Sequence, residues 1–204
     1  MPTNTNSQTV MVPPVRLNAT NGDAVPGGYL STKLGSALAP GQEGQKVYLG
    51  GDEIKYDPAV GTLYGGAYQY VEFEDANGSM AAYTRGQIVF WKAMPSFLVT
   101  NANLFGWLDG NQAGIVLNTE NYGAYWWIQV SGLASVLFSS QQSQATPAVK
   151  DLVVHVTGGF TADALPDATP VTASIHKRAI GVAAEAPRAG AISLVELYDQ
   201  FRNV

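Results

Sequence analysis

Short runs in which apolar and polar residues alternate make up most of the chain from residue 29 onwards. In "YQYVEFE" (68–74) and "AYWWIQVSG" (124–132), aromatic and β-branched residues recur with the two-residue period of a β-strand. Gly, Asn, Asp and Pro separate the runs at short intervals. We therefore predict an all-β fold, an antiparallel β-sandwich or barrel of the jelly-roll or β-tulip kind, with an extended N-terminal arm. The predicted strands are 46–49, 68–74, 86–93, 96–100, 113–119, 124–132, 133–138, 152–160, 171–175, 179–185 and 191–198.

Three further stretches need separate interpretation. The polar segments "SSQQSQATPAVKD" (139–151) and "TADALPDATP" (161–170) are predicted to be long surface loops. The C-terminal "SLVELYDQFRNV" is ambiguous, because Ser193 and Glu196 have the spacing of a helical capping box. We favour a strand through Tyr198, because this stretch belongs to an internal repeat.

The repeat aligns residues 113–130 with residues 180–197 after a shift of 67 positions. Each copy reads as strand, loop, Gly-Ala and strand, and two glycines nine residues apart coincide. We interpret the two copies as a duplicated β-hairpin unit, in which the glycines permit positive φ where the loop re-enters the sheet. The coinciding pairs are Gly114 with Gly181, Gly123 with Gly190, Ala124 with Ala191, Ile115 with Val182, Ile128 with Val195 and Val130 with Leu197.

The alternation also predicts where the aromatic side chains of 124–132 point. The even positions from 124 to 130 are all apolar and should face the core, so Trp126 is predicted to be a core residue. The odd positions mix large rings with polar groups. Tyr125 and Trp127 therefore belong either to a second buried layer or to a protein–protein interface.

Residues 1–28 are predicted to form an arm, because they are rich in Asn, Thr, Pro and Gly and lack helical periodicity. The pair Pro13 and Pro14 favours an extended path, and an apolar island surrounds it at Val10, Met11, Val12 and Val15. The arm is either a disordered tail or first edge strand, or a segment that clips onto a neighbouring chain. Residues 29–204 are predicted to form one β-rich domain, with two sub-parts that would meet near 100–112.

Composition and charge narrow the function classes. The net charge is −5 with a pI of about 4.9, which argues against a nucleic-acid partner. Charged residues make up only 13% of the chain and cysteine is absent, so disulfide and thiolate chemistry are excluded. The sequence contains no apolar run of membrane-spanning length, and its first ten residues do not have the pattern of a secretory signal. We expect no membrane association, and a protein that acts inside the cell or leaves as part of an assembly.

Candidate catalytic and metal-binding residues are few. His155 and His176 are interpreted as a strand residue and a surface turn residue, since neither has a suitably spaced carboxylate. The segment "GGDEI" (50–54) is interpreted as a turn. Glu72 and Glu74 fall on one face of a strand, which favours a solvated edge over a catalytic pair. We expect no enzyme activity, no cofactor and no metal. The carboxylates considered are Asp52, Glu53, Asp57, Glu72, Glu74 and Asp75.

The segment "AGIVLNTENYGAYWWIQVSGLASVL", followed by "AIGVAAEAPRAGAISLVELY", resembles the decoration or cement proteins of tailed-phage heads. In that group a glycine-plus-aliphatic strand precedes a Tyr-Gly-x-x-Trp-(Ile/Val)-Gln-Val-x-Gly strand, and an Ile-Gly-Val-Ala strand leads into a final Val/Leu strand. The matching segments are Gly114–Leu117, Tyr122–Gly132, Ile180–Ala183 and Ala191–Leu197. The resemblance covers about the last 95 residues.

This resemblance implies a non-enzymatic virion protein, made in the host cytoplasm and bound to the outer surface of an icosahedral head. Its expected partners are the major capsid protein and further copies of itself, in a trimer or, as the alternative, a dimer. We assign self-association to Tyr122, Tyr125 and Trp127. We assign docking on the capsid to the arm residues Val10, Met11, Val12, Pro13, Pro14 and Val15.

Three other functions remain open at this point. A tail, baseplate or fibre component would share the composition and the strand pattern. A carbohydrate-binding module would use Trp91, Trp107, Trp126 or Trp127 as a sugar platform. A glycoside hydrolase would need a pair of acidic residues.

Overall fold

The computed structural model describes residues 44, 46–49, 55–57, 61–74, 83–93, 96–101, 111–117, 125–156, 160–166, 169–170 and 172–198. This part of the chain is built almost entirely from strands, which confirms the all-β prediction. The elements are β1 (Lys46–Leu49), β2 (Lys55–Asp57), β3 (Gly61–Leu63), β4 (Gly66–Phe73), β5 (Ile88–Ala93), β6 (Leu98–Thr100), β7 (Gln112–Val116), β8 (Tyr125–Gln129), β9 (Gly132–Leu137), β10 (Leu152–His155), β11 (Ala162–Leu165), α1 (Ala173–Arg178), β12 (Ala179–Ala183) and β13 (Ile192–Leu197).

Strands β4 to β8 form a closed ring of hydrogen-bonded neighbours. The order is β4-β6-β5-β7-β8, and β8 pairs with β4 again. The β4–β6 pairing is parallel and the others in the ring are antiparallel. Strand β1 pairs with the first half of β4, and β6 pairs with the end of β4. Strands β2 and β3 form a separate hairpin. We call this ring, from Gly66 to Gln129, repeat 1.

Strands β9 to β13 form a second ring with the same connectivity. Their order is β11-β10-β12-β13-β9, and a parallel bridge between Phe138 and Ala162 joins the end of β9 to the start of β11. The strands β9 to β13 therefore correspond in order to β4 to β8, and each pairing in the first ring has an equivalent pairing in the second. We call this ring, from Gly132 to Leu197, repeat 2.

The two repeats also share their strand register. Val89 lies opposite Gly114 in repeat 1, and Val153 lies opposite Gly181 in repeat 2. In both rings the register shifts directly after this pair. The predicted hairpin repeat is confirmed, and the structure extends it from one hairpin to a whole five-stranded unit.

The repeated glycines permit close approach between strands. A Cβ atom on Gly114 would lie 2.6 Å from the carbonyl oxygen of Gln129, and one on Gly181 would lie 2.1 Å from that of Glu196. Positive φ, the property expected of the repeated glycines, occurs among them at Gly190, where φ is 69° and the chain re-enters the sheet, but not at Gly114 or Gly181. The strand glycines are therefore required because the neighbouring backbone leaves no room for a side chain.

A matching turn precedes the second strand of each ring. Gly86 has a φ of 83° and its counterpart Lys150 has a φ of 72°, so both occupy the left-handed region. In each turn the next side chain accepts a hydrogen bond from the backbone N–H three residues before it, to Gln87 Oε1 at 3.0 Å and to Asp151 Oδ2 at 2.6 Å. The geometry of the turn is thus retained although its residues differ.

The structure corrects two local predictions and confirms two. The predicted strand 171–175 is wrong: Ala173–Arg178 form α1, because the Thr172 hydroxyl accepts a hydrogen bond from the Ile175 N–H at 3.3 Å and caps the helix. The predicted loop 161–170 contains β11, whose small alternating residues pair along β10. The 139–151 loop and the C-terminal strand are confirmed. The arm residues 1–28 lie outside the described residues.

Candidate interaction surfaces

The two adjacent tryptophans are both inside the protein. Trp126 is 0% exposed and faces the interior of the repeat 1 ring, which confirms its prediction as a core residue. Trp127 is 1% exposed on the opposite side of β8, and its ring packs edge-on against Tyr70 with centroids 5.3 Å apart. The second buried layer is therefore the environment of Trp127. Tyr122 and the side chain of Tyr125 lie outside the described residues.

The burial of Trp127 reflects a wider property of repeat 1, because its outer side is covered. A row of residues in register crosses four strands on that side: Tyr68, Gln129, Ile115 and Ile88. Each of them is at most 3% exposed. The Tyr68 hydroxyl donates to the Tyr64 carbonyl at 2.6 Å, and burial raises the pKa of Tyr68. Both faces of the sheet in repeat 1 are thus buried.

Repeat 2 forms hydrogen bonds with repeat 1 at several points, and two of them involve Ile88 and Gln129 of this row. The Ile88 N–H donates to the Phe160 carbonyl at 2.8 Å, and the Leu137 N–H donates to the Gly86 carbonyl at 2.8 Å. The Gln129 side chain donates to the Leu133 carbonyl at 2.8 Å. The first strand of repeat 2 and the segment before β11 therefore pack on repeat 1.

A buried polar joint lies between the repeats. Gln112 Nε2 of repeat 1 is 2.9 Å from His155 Nδ1 and 2.9 Å from the Lys177 carbonyl oxygen of repeat 2. Because a carbonyl only accepts, Nε2 donates, and the Nδ1 atom of His155 therefore accepts and carries no proton. The ring of Phe90 packs edge-on against the imidazole at 5.2 Å. His155 is a strand residue, as predicted, and it links the two rings, while His176 is exposed on α1.

The corresponding row on the outer side of repeat 2 is open. The row that matches the buried row of repeat 1 runs Leu133, Glu196, Val182, Leu152 and Leu165 across all five strands. Every one of these residues is partly or fully exposed. Ile192 on the same side is 41% exposed. We call this surface the open face, and it consists of Leu133, Leu137, Leu152, Leu165, Val182, Ile192, Leu194 and Glu196.

Of the acidic residues considered as a catalytic pair, the structure describes the side chains of Glu72 and Glu74. Glu74 forms an ion pair with Lys92. Partial burial works to raise the pKa of Glu74, but hydrogen bonds from Lys92 and Thr100 and the Lys92 charge together lower it. Asp52, Glu53, Asp75 and the side chain of Asp57 lie outside the described residues.

The sugar-platform hypothesis fails for three of its four tryptophans. Trp91 is 3% exposed and Trp126 and Trp127 are 0% and 1% exposed, whereas a platform needs an open indole face. Trp107 lies outside the described residues. Among the residues that the structure describes, no three His, Asp or Glu side chains are grouped as metal ligands. No helix in that same part of the chain has the length and apolarity needed to cross a bilayer.

Comparison with solved structures finds similarity to a phage head protein. The crystal structure of the N base of head fiber gp8.5 in bacteriophage phi29 matches with a TM-score of 0.39 and 9% sequence identity. The alignment covers 65% of this chain and 93% of that chain. No protein-family model matches the chain, and no curated protein matches it. At these values the likeness assigns neither a fold family nor a function.

Proposed function

We propose that the chain is a non-enzymatic structural protein of a phage virion. In this proposal it binds the outer surface of an icosahedral head and stabilises contacts between major capsid proteins. The observation that carries the proposal concerns the segments that resemble head decoration proteins. Gly114–Leu117 and Ile180–Ala183 lie at matching positions on β7 and β12. The other two segments, Tyr122–Gly132 and Ala191–Leu197, contain β8 and β13.

The architecture supports a structural role for these motif residues. The motif tryptophan Trp126 is buried within the repeat 1 ring, and the motif glycines Gly114 and Gly181 allow strands to approach closely. The motif therefore specifies a framework, and the surface that this framework leaves open is aliphatic. Aliphatic surface on a rigid framework is suited to protein contact.

The proposed mechanism is mechanical. A subunit that bridges two capsid proteins removes apolar surface from water on both, which contributes about 25 cal/mol per Å² before entropy is subtracted. A standard interface buries about 1,600 Å² in total, so a single bridging subunit can resist a large separating force. An arm that becomes ordered on docking would add contacts that the free protein lacks. We keep the assignment of capsid docking to the arm residues Val10 to Val15.

A cosedimentation experiment tests this function. Purified protein would be mixed with heads that lack it and then centrifuged, with a variant lacking residues 1–15 in parallel. We expect the full chain to sediment with the heads. The truncated chain should stay in the supernatant although its circular dichroism is unchanged. Failure of the full chain to sediment would contradict the head-binding proposal, whereas sedimentation of both chains would contradict only the arm assignment.

A tail, baseplate or fibre component is the second candidate. Two rings joined in tandem, with one apolar face open, also suit a protein built from successive units along an axis. Immunogold labelling of intact virions with an antibody against this chain distinguishes the two positions. Label on the head surface favours decoration, and label on the tail or on a projecting fibre favours the second candidate.

A further inference from the structure

The open face of repeat 2 has a counterpart within the same chain, and that counterpart is buried. Leu133, Val182 and Leu152 correspond in register to Tyr68, Ile115 and Ile88 of repeat 1. The repeat 1 residues are at most 1% exposed, while all three repeat 2 residues are partly exposed. The matching rows of the two rings are thus covered in repeat 1 and exposed in repeat 2.

The composition of the open face is that of a covered surface. The outward positions of a sheet that faces water are normally polar. Here the row across five strands holds four aliphatic residues and one charged residue, Glu196. Cross-strand neighbours lie about 5 Å apart, so these side chains form one continuous patch. A continuous apolar patch on a soluble protein marks a contact site.

The chain itself indicates the partner. The contact between the repeats is heterologous, because Ile88 and Gln129 of the repeat 1 row hydrogen-bond to the Phe160 segment and to the first strand of repeat 2. A contact of this kind uses one surface of each unit and leaves the matching surface of the last unit free. The free surface at the end of the series is the open face. A second copy of this chain is the partner that supplies the same kind of structural unit.

The one charged residue of the row fits this interpretation. Glu196 occupies the position of Gln129, whose side chain donates to the Ser131 and Leu133 carbonyls where repeat 2 begins. A polar residue at this point in the row is therefore compatible with a covered face. A carboxylate cannot donate to carbonyls, so it makes the same contact weaker than a glutamine would.

We propose that the open face of repeat 2 is a self-association surface, which binds a second copy of this chain. Val182 is at the centre of the contact, and Leu152 and Leu133 flank it. The association needs no capsid, so it stands or falls separately from the proposed head-binding function.

Sedimentation velocity over a concentration series tests the proposal with two matched variants. Val182→Glu places a charge in the middle of the open face, and Val149→Glu makes the same change at a residue that is 53% exposed in the 139–151 loop. We expect the unmodified chain and Val149→Glu to associate as concentration rises. Val182→Glu should remain monomeric, with its apparent dissociation constant raised at least tenfold. Near-ultraviolet circular dichroism, which reports the buried tryptophans, should be the same for all three proteins.

A third variant sharpens the test. Glu196→Gln copies the residue of repeat 1 and should lower the dissociation constant several-fold. A chain that stays monomeric at every concentration, or a folded Val182→Glu that associates like the unmodified chain, would overturn the proposal. A monomeric chain that associates only after residues 1–28 are removed would show that the arm covers the face. Loss of head binding by Val182→Glu in a monomeric chain would assign the face to the capsid. Either result would show that the partner of this face in the intact chain is not a second copy, and would overturn the proposal.

Discussion

Repeat 1 and repeat 2 share connectivity, register and turn geometry, yet they differ in the size of their outward side chains. The outer side of repeat 1 carries Tyr68, Tyr70 and Trp127, whereas the matching positions of repeat 2 carry Leu133, Ser135 and Leu194. The first set is buried and the second is partly exposed. Ring closure therefore constrains the backbone in the same way twice, while the outward residues differ according to what each ring packs against.

The strand glycines provide the strongest test of the shared constraint. Gly181→Ala would place a methyl group 2.1 Å from a backbone oxygen that cannot move without distorting β13, and Gly114→Ala would create a similar clash at 2.6 Å. We expect each substitution to lower the free energy of unfolding by about 3 kcal/mol. Urea unfolding followed by tryptophan fluorescence measures this.

Gly190→Ala is the matched control for these glycines. The nearest atom to its added methyl group is 3.7 Å away, so only the positive φ opposes it, at a cost of about 1 kcal/mol. If Gly114→Ala and Gly181→Ala cost no more than this control, close strand approach is not the constraint that the two rings share.

The joint between the rings is expected to have the next largest effect. Gln112→Leu removes the donor to His155 Nδ1 and to the Lys177 carbonyl, so we expect a loss of about 2 kcal/mol. Gln141→Leu, at an exposed loop position, should change stability by less than about 0.5 kcal/mol. Thermal unfolding of both variants makes the measurement. Equal stability of the two variants would mean that the joint adds nothing to the packing between the rings.

The equivalent turns predict a gain in stability. Lys150 has a left-handed conformation that disfavours side chains, and its counterpart in repeat 1 is Gly86. We expect Lys150→Gly to raise the free energy of unfolding by about 0.5 kcal/mol, because relief of strain exceeds the extra entropy of the unfolded chain. Val149→Gly, at the neighbouring position of the same loop, is the matched control, and it should not stabilise the protein. Chemical unfolding of the two variants makes the comparison, and a loss of stability in Lys150→Gly would contradict the equivalence of the turns.

The smallest effect concerns the ion pair at the edge of repeat 1. The pKa of Glu74 is lowered in the folded state, so its ion pair with Lys92 stabilises the protein above the ordinary pKa of 4.5. That stability is lost as the pH falls through the folded-state pKa. Unfolding measured from about pH 6 to about pH 3, the range in which glutamates titrate, should therefore be slightly less pH-dependent in Glu74→Gln than in the unmodified chain. Identical pH profiles would show that the pair is too exposed to matter.

The sequence contained enough information for the strand pattern and for two of the five strands of each repeat. The hairpins of β7–β8 and β12–β13 align at a constant shift, because their glycines and aliphatic residues are both required by closely approaching strands. The other three strands of each unit could not be aligned from sequence. Their matching turn uses Gly86 in one copy and Lys150 in the other, so the shared backbone conformation leaves no shared residue.

The errors in the sequence interpretation have physical causes. The alternation in β8 separated an apolar side from a mixed side, but it could not show that the mixed side is also covered and that Trp127 packs against Tyr70. Residues 173–178 follow a capping threonine that stabilises a helix too short to show a helical period. In each case a contact distant in sequence, or a single cap, outweighed the local pattern.

Electron cryo-microscopy of intact virions tests the central claim of head binding most directly. The account predicts density for two joined five-stranded rings on the outer surface of the shell, bridging neighbouring capsid proteins. Density for these rings confined to the tail, or a shell whose outer surface lacks them in particles that contain the protein, would contradict it.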